Sequence, residues 1–479
     1  MSVSVQKKYY INLIITIAII FGSKLLPAMG AITEYGSNIV GIFIGVIYGY
    51  CTVGVAVPSF MAIIALGFSG FSTVPEIMKM SFGDSTVLYI ISILILSSML
   101  EKSGLSEKIV NWMITLKFAK GKPWVITFMF LLAAYVVAIF INSIPSTIIC
   151  WSLLLNLFPA LGFKSGDKWP IVMVFGILFT ATLGASIPSF QVSVASNFGL
   201  LTVASQGELV MNPLKYMLWS LPCSIVPFII YFLLIKYIIR PDVSLLKNED
   251  IFKVNNEPLT GEQKIVSAIF IVFIAGLILP AVLPEGNVIK QIFDNLANCG
   301  WGLFVIMVAL MLTLDKKKLF NFDELFSKGV IWDIVLMIAV IYTLVGAVTD
   351  ERTGVSELLI GIMSPMQNSM SDIMFFVTAT LIYAIIANVT NTVAASFMFI
   401  PIMHVLLGDS NSSYIFTSMA VYISSASFLM PSATVNAAMM YNQKEWLPMK
   451  YCLGFSLLTI VLIYLDMVVI GLPLGRIIF

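Results

Sequence analysis

The chain has 479 residues, of which 59% are hydrophobic and only 11% charged, with a mean hydropathy of +1.00. Soluble domains carry about a quarter charged residues, so too little charge remains here to solvate a water-soluble globule. No basic stripe offers a surface for nucleic acid, and with Lys plus Arg at 26 against Asp plus Glu at 25, net charge points to no partner.

Apolar runs of about 15–25 residues, the length of one bilayer crossing, recur from Tyr10 to the end. They predict an all-α polytopic membrane protein. The opening MSVSVQKKYYINLIITIAIIF has the lysines and apolar run of a signal peptide, but the spans that follow favour an uncleaved first transmembrane helix. Lys7 and Lys8 before it place the N-terminus in the cytoplasm, by the tendency of Lys and Arg to stay inside. Cys51, Cys150, Cys223, Cys299 and Cys452 form no CxxC pair and read as small core residues. His404 is the single histidine and cannot build a His-based metal site.

Further along, EKSGLSE (Glu101 to Glu107) returns as ERTGVSE (Glu351 to Glu357), an offset of 351 − 101 = 250. Likewise IPSFQVSVA (Ile187 to Ala195) returns as MPSATVNAA (Met430 to Ala438), an offset of 431 − 188 = 243. Two matches in the same order indicate a duplication, with 1–239 as the first repeat, 240–264 as a polar linker and 265–479 as the second repeat. The glycines of the first pair, Gly104 and Gly354, are expected at turns. Between the signposts, FINSIPSTIICW (Phe140 to Trp151) and IANVTNTVAASF (Ile386 to Phe397) are polar clusters between apolar arms, with Asn142 opposite Asn388 at an offset of 246.

Unwound backbone is tolerated at membrane depth only where protein buries it or a cavity adjoins it. Pro188 and Pro431 therefore mark helix breaks, and the clusters before them mark re-entrant hairpins whose tips meet those breaks. Paired broken helices are a mark of secondary transporters. A hairpin tip presents free N–H groups that suit an anion, while freed carbonyls suit Na⁺. The bland alternative is interhelical hydrogen bonding within a packed bundle.

Several stretches carry a family likeness: SFGDSTVLYIISILILSSMLEKSGLSEKI (Ser81 to Ile109), LDKKKLFNFDELFSKGVIWDIVLMIAVIYTL (Leu314 to Leu344), TNT (Thr390 to Thr392) and SASFLMPSATVN (Ser425 to Asn436). With these the chain resembles the divalent anion/sodium symporter family, carriers of dicarboxylates, citrate or sulfate. The resemblance implies two inverted repeats, a scaffold and a transport domain moving as an elevator, a homodimer, and Na⁺ as coupling ion beside a small dianion. Carried onto this chain, it places Thr390, Asn391, Thr392 and Thr434 at the substrate, and Asn391 with the Ala433 carbonyl at a second-repeat Na⁺ site. The matching first-repeat set is Asn142, Ser143, Ser146, Thr147 and Gln191 for substrate, with Asn142 and Ser146 for a first Na⁺. There the chain departs from the pattern: NSIPST sets Pro145 opposite Asn391, and Phe190 stands opposite Ala433, so the first ion site is expected to be altered or absent.

C4-type dicarboxylate is the expected substrate, with sulfate or another oxyanion, or Na⁺-independent dicarboxylate exchange, as alternatives. The setting implied is a bacterial inner or plasma membrane. A membrane-embedded enzyme lacks acid/base residues to work with, and a channel would need rows of pore-lining groups. Asp466, inside the last span, is either a coupling carboxylate or a packed one.

Overall fold

The computed structural model describes residues 3–116, 121–247, 258–314 and 317–479. The chain opens with α1 (Val3–Gly22), α2 (Glu34–Thr52), α3 (Ala56–Ser69) and α4 (Val74–Phe82). A series follows of α5 (Ser85–Lys102), α6 (Leu105–Ile114), α7 (Pro123–Phe140), α8 (Ser143–Leu161), α9 (Lys168–Ala185), α10 (Val192–Ala204) and α11 (Pro213–Leu233), the last extended by a π-helical turn, Leu234–Ile239. Of the expected linker, residues 248–257 lie outside the described residues, and its last four already belong to the next helix. Thr260 and Gln263 start that helix with a reciprocal capping box.

The chain continues through α12 (Gly261–Val282), α13 (Val288–Met311), a two-rung antiparallel ladder of Thr313–Leu314 with Lys317–Lys318, and α14 (Phe322–Lys328). A second series then runs α15 (Trp332–Val348), α16 (Val355–Ser369), α17 (Asp372–Val389), α18 (Thr392–Leu407), α19 (Ser410–Ser425), α20 (Val435–Asn442) and α21 (Met449–Asp466). A second π-helical turn, Met467–Gly471, joins α21 to α22 (Leu472–Ile478). Among the described residues, ten helices are long and apolar enough to cross a bilayer.

The two series match element by element in order, and two pairs of helix starts match in detail. Gly104 and Gly354 hold the same left-handed backbone, at φ 66° and 69°, and each is the N-cap of its following helix, α6 or α16. Their surroundings differ. A Cβ on Gly104 would meet only the Gln263 amide at 4.0 Å, whereas one on Gly354 would collide with the Ala31 carbonyl of the α1–α2 loop. Thr33 of the same loop donates to the Arg352 carbonyl at 2.7 Å, and Arg352 lies over the Tyr35 ring at 4.8 Å. The Arg352 guanidinium beside Asp350 also holds that carboxyl below the usual carboxylate range. Gly104→Ala should therefore cost about 1–2 kcal/mol, the left-handed penalty alone. Gly354→Ala should cost clearly more, and the difference is readable as unequal losses of thermal stability in detergent.

Burial is alike in the two series. Every residue of α9 from Trp169 to Ala185 is buried, and α19 is buried from Ile415 to Ser424. A helix apolar on all sides is stable only when surrounded, so these two form the axes of the bundle. The Phe175 ring of α9 stacks on Phe455 at 4.8 Å and meets Phe428 edge-on at 5.8 Å. By contrast α12 and α13 turn Ile271, Val272, Ile292 and Met307 outward. An apolar surface of this kind needs an apolar partner, lipid or another protein surface.

Candidate functional site

Both axial helices stop at a break. The first runs from Ser186 to Gln191, between α9 and α10, and the second from Ala426 to Thr434, between α19 and α20. Their starts adjoin, with the hydroxyls of Ser186 and Ser425 lying 2.8 Å apart. Opened backbone at this depth leaves carbonyls without helical partners, and neighbouring side chains supply donors. Tyr216 donates to the Ser186 carbonyl at 2.7 Å, and Ser220 to that of Ile187 at 2.8 Å. In the second break, Ser456 donates to Phe428 at 2.9 Å, Tyr441 donates to Leu429, and Thr434 donates to Ser427 at 3.1 Å. The final long helix of each series, α11 or α21, thus supplies a serine to the break beside it.

Each break faces a helical hairpin, α7–α8 or α17–α18. At both tips an asparagine is the N-cap: the Asn142 side chain accepts from the Ile144 amide at 3.2 Å, and that of Asn391 from the Val393 amide at 2.9 Å and the Ala394 amide at 3.4 Å. Asn142 therefore corresponds to Asn391, at an offset of 391 − 142 = 249, and Ser143 to Thr392. This corrects the register expected from the sequence. Pro145 lies within the first turn of α8, opposite Ala394 rather than Asn391. Asn388 sits one turn before its tip, where it accepts from the Leu429 amide at 3.3 Å. The residues lost between the halves fall almost wholly between tip and break: α8 has 19 residues against 16 in α18, and α9 has 18 against 16 in α19.

The second tip is laced to its break. Thr392 donates to the Ala433 carbonyl through its amide at 3.1 Å and its hydroxyl at 3.2 Å, and the Asn391 amide group donates to the Ser432 carbonyl at 3.2 Å. The N–H groups expected to be free for an anion are therefore occupied at this tip. Thr390 is exposed, with its hydroxyl on the Ile386 carbonyl. Thr434 caps α20 by accepting from the Ala437 amide at 3.0 Å. The matching cap of α10, Gln191, gives no side-chain cap at all. Its amide group reaches back to the Ala138 and Ile139 carbonyls at 3.1 and 3.3 Å, bracing the break against the end of α7. Uncapped amides at the start of α10 are thus the better anion donors, aided by the positive end of the helix dipole.

The first tip is laced differently. Ser146 is spent within the hairpin, donating to the Ala134 carbonyl at 2.8 Å. Thr147 is fully buried and its hydroxyl has no partner, and the same holds for Ser189 in the adjoining break. The Phe190 ring packs on Phe270 and Phe273 of α12 at 5.5 and 6.0 Å. The sequence reading passed over Asn436. From α20 of the second series it crosses to the first tip and donates to the Ser143 hydroxyl at 3.0 Å. Its place in the quoted C-terminal signature was the available signal. Asp466 is buried with both carboxylate oxygens unpartnered. Among the described residues no cluster of three His, Cys, Asp or Glu side chains could hold a metal.

Two breaks and two capped hairpins, joined at the centre of a polytopic helical bundle, define a membrane transporter. Residues 39–440 match the citrate transporter family (CitMHS), and the chain belongs to that family. In fold it is similar to the YdaH transporter of Alcanivorax borkumensis, with a TM-score of 0.57 and 11% identity over 84% of this chain and 86% of that one. It is similar also to MtrF of Neisseria gonorrhoeae, described as illuminating a class of antimetabolite efflux pumps, with a TM-score of 0.59 and 13% identity over 96% of both chains. No curated protein matches the chain.

Proposed function

We propose that this chain is a secondary carrier of small polycarboxylate anions, citrate or a C4 dicarboxylate, and that it couples their movement to Na⁺. The observation that carries the reading is the joining of both breaks and both tips: Ser186 to Ser425, Thr392 to Ala433, and Asn436 to Ser143. The starts of α10 and α20 supply dipoles and amides for the anion, and Thr390, Asn391 and Thr392 close over it. Thr147 adds an unpartnered hydroxyl, while Ser143 and Thr434 hold the tip and the break in place through their own bonds. Na⁺ travels as co-substrate at the second tip, where Asn391 and the Ser432 and Ala433 carbonyls gather oxygen donors. Their existing bonds to Thr392 and to the Asn391 amide group are the ones the ion would displace.

In this reading the two series are inverted in the membrane, and hairpins, breaks, α11 and α21 move together against a scaffold shared by two protomers. The N-terminus is cytoplasmic, in a bacterial inner or plasma membrane. Purified protein in liposomes should take up citrate or succinate saturably and exchange internal for external substrate. An inward Na⁺ gradient should raise the initial rate several-fold. Uptake indifferent to Na⁺ would leave exchange as the mechanism, and uptake linear in substrate would make the protein a channel.

A further inference from the structure

We propose that Asn436 reads a hydroxyl group on the substrate, so that the carrier selects α-hydroxy polycarboxylates over their deoxy counterparts. The inference rests on the carrier reading above. It starts from the hydrogen-bond order at the first tip. The Asn142 side-chain oxygen accepts from the Ile144 amide, and the Ser143 hydroxyl donates to that same oxygen at 3.2 Å. With its proton committed, the Ser143 oxygen can only accept from Asn436, which must therefore present its NH₂ group at 3.0 Å. The Asn436 carbonyl oxygen then points elsewhere, and it is buried with no partner.

Asn436 is not alone in this. Thr147 follows Ser143 by four residues on α8, hence on the same face, and its buried hydroxyl is also unpartnered. Ser189, two residues before the Gln191 brace to the end of α7, is the third. All three residues are more than nine-tenths buried, at 8%, 0% and 1% exposure for Asn436, Thr147 and Ser189. Hydroxyls donate or accept, so carboxylate oxygens can satisfy Thr147 and Ser189. An amide carbonyl only accepts. A succinate-like dianion offers acceptors alone and leaves Asn436 unmet. A ligand with an O–H beside its carboxylate brings the donor that the Asn436 oxygen lacks, as well as acceptors for hydroxyls. Sites that hydrogen-bond a substrate hydroxyl reject the analogue lacking it, because the protein group is left buried and bare.

The test is competition for uptake into proteoliposomes by two pairs of acids, citrate with tricarballylate and malate with succinate, each differing in one hydroxyl. Wild-type protein should prefer the hydroxylated member by about tenfold, the effect of one buried hydrogen bond unmade. Asn436→Leu should bring that ratio near one. Thr147→Val should weaken all four acids while keeping the ratio. Equal competition within each pair in wild-type protein overturns the inference and leaves the carrier reading standing. So does an Asn436→Leu protein that keeps its preference but loses its response to Na⁺, since the oxygen would then serve the coupling ion. Transport of none of the four acids overturns the carrier reading and this inference with it. Should Asn436→Leu fail to fold, the wild-type ratio decides.

Discussion

Replacing Asn391 with alanine should lower uptake at least twentyfold while leaving the protein folded. The side chain does two separable things at the second tip. Its oxygen caps α18 through the Val393 and Ala394 amides, and its amide group ties the tip to the Ser432 carbonyl of the break. Losing a cap costs about 1–2 kcal/mol, which in a chain this long moves the melting temperature by a few degrees at most. Losing the tie leaves only the two Thr392 bonds to the Ala433 carbonyl between hairpin and break, and it removes an oxygen from the proposed Na⁺ site.

Asn391→Asp separates the two roles. A carboxylate still accepts from both amides, and a negative charge at a helix N-terminus is favourable, so stability should hold. The tie is lost, because a carboxylate cannot donate to the Ser432 carbonyl, and the charge repels an incoming anion. Thermal unfolding should thus rank Asp near wild type and above Ala, while uptake falls in both. An Asp variant that transports normally would show that the tip has no part in transport.

Much of this arrangement was legible in the sequence because its signposts occur twice in the same order. The prolines at 188 and 431 marked both breaks, and the glycines at 104 and 354 marked matched left-handed turns. The hairpin register was misjudged for a physical reason. Polar clusters show where a tip lies, but its residue-level position is set by the N-cap, an asparagine directly followed by a hydroxyl residue. Asn142-Ser143 and Asn391-Thr392 both carry that signal. The role of Phe190 was hidden because its ring is placed by α12, some eighty residues on. The bond from Asn436 to Ser143 spans 293 positions, and no local pattern announces a contact between halves. Asp466 was visible as an anomaly. The structure places it at the end of α21, the helix whose Ser456 supports the second break.

Gly184→Ala should be the most damaging single methyl addition near the site. Gly184 lies in the last turn of α9, where α7 passes so close that a Cβ would enter the space of the Tyr135 carbonyl oxygen. Backbone cannot rotate aside as a side chain can, so the two helices must part. Overpacking of this kind costs about 1–3 kcal/mol in cores that can adjust, and a rigid backbone neighbour puts this case at the upper end. The consequence for function is larger than for stability. Seven residues beyond Tyr135, just past the end of α7, stands Asn142 of the first tip, and Gln191 braces the break to the carbonyls of Ala138 and Ile139. Displacing α7 by about an ångström therefore moves Asn142 and Ser143 relative to both the break and Asn436, and an ångström of misplacement can cost about a hundredfold in a positioned site. Gly176, two turns earlier on α9, is the control. A Cβ there would meet side chains, the Tyr231 ring at 2.7 Å and Leu131 at 2.8 Å, which can turn aside where a backbone carbonyl cannot. Gly176→Ala should keep most uptake with a small loss of melting temperature, whereas Gly184→Ala should lose nearly all of it. Equal effects from the two would mean that the approach of α7 to α9 does not set the position of the tip.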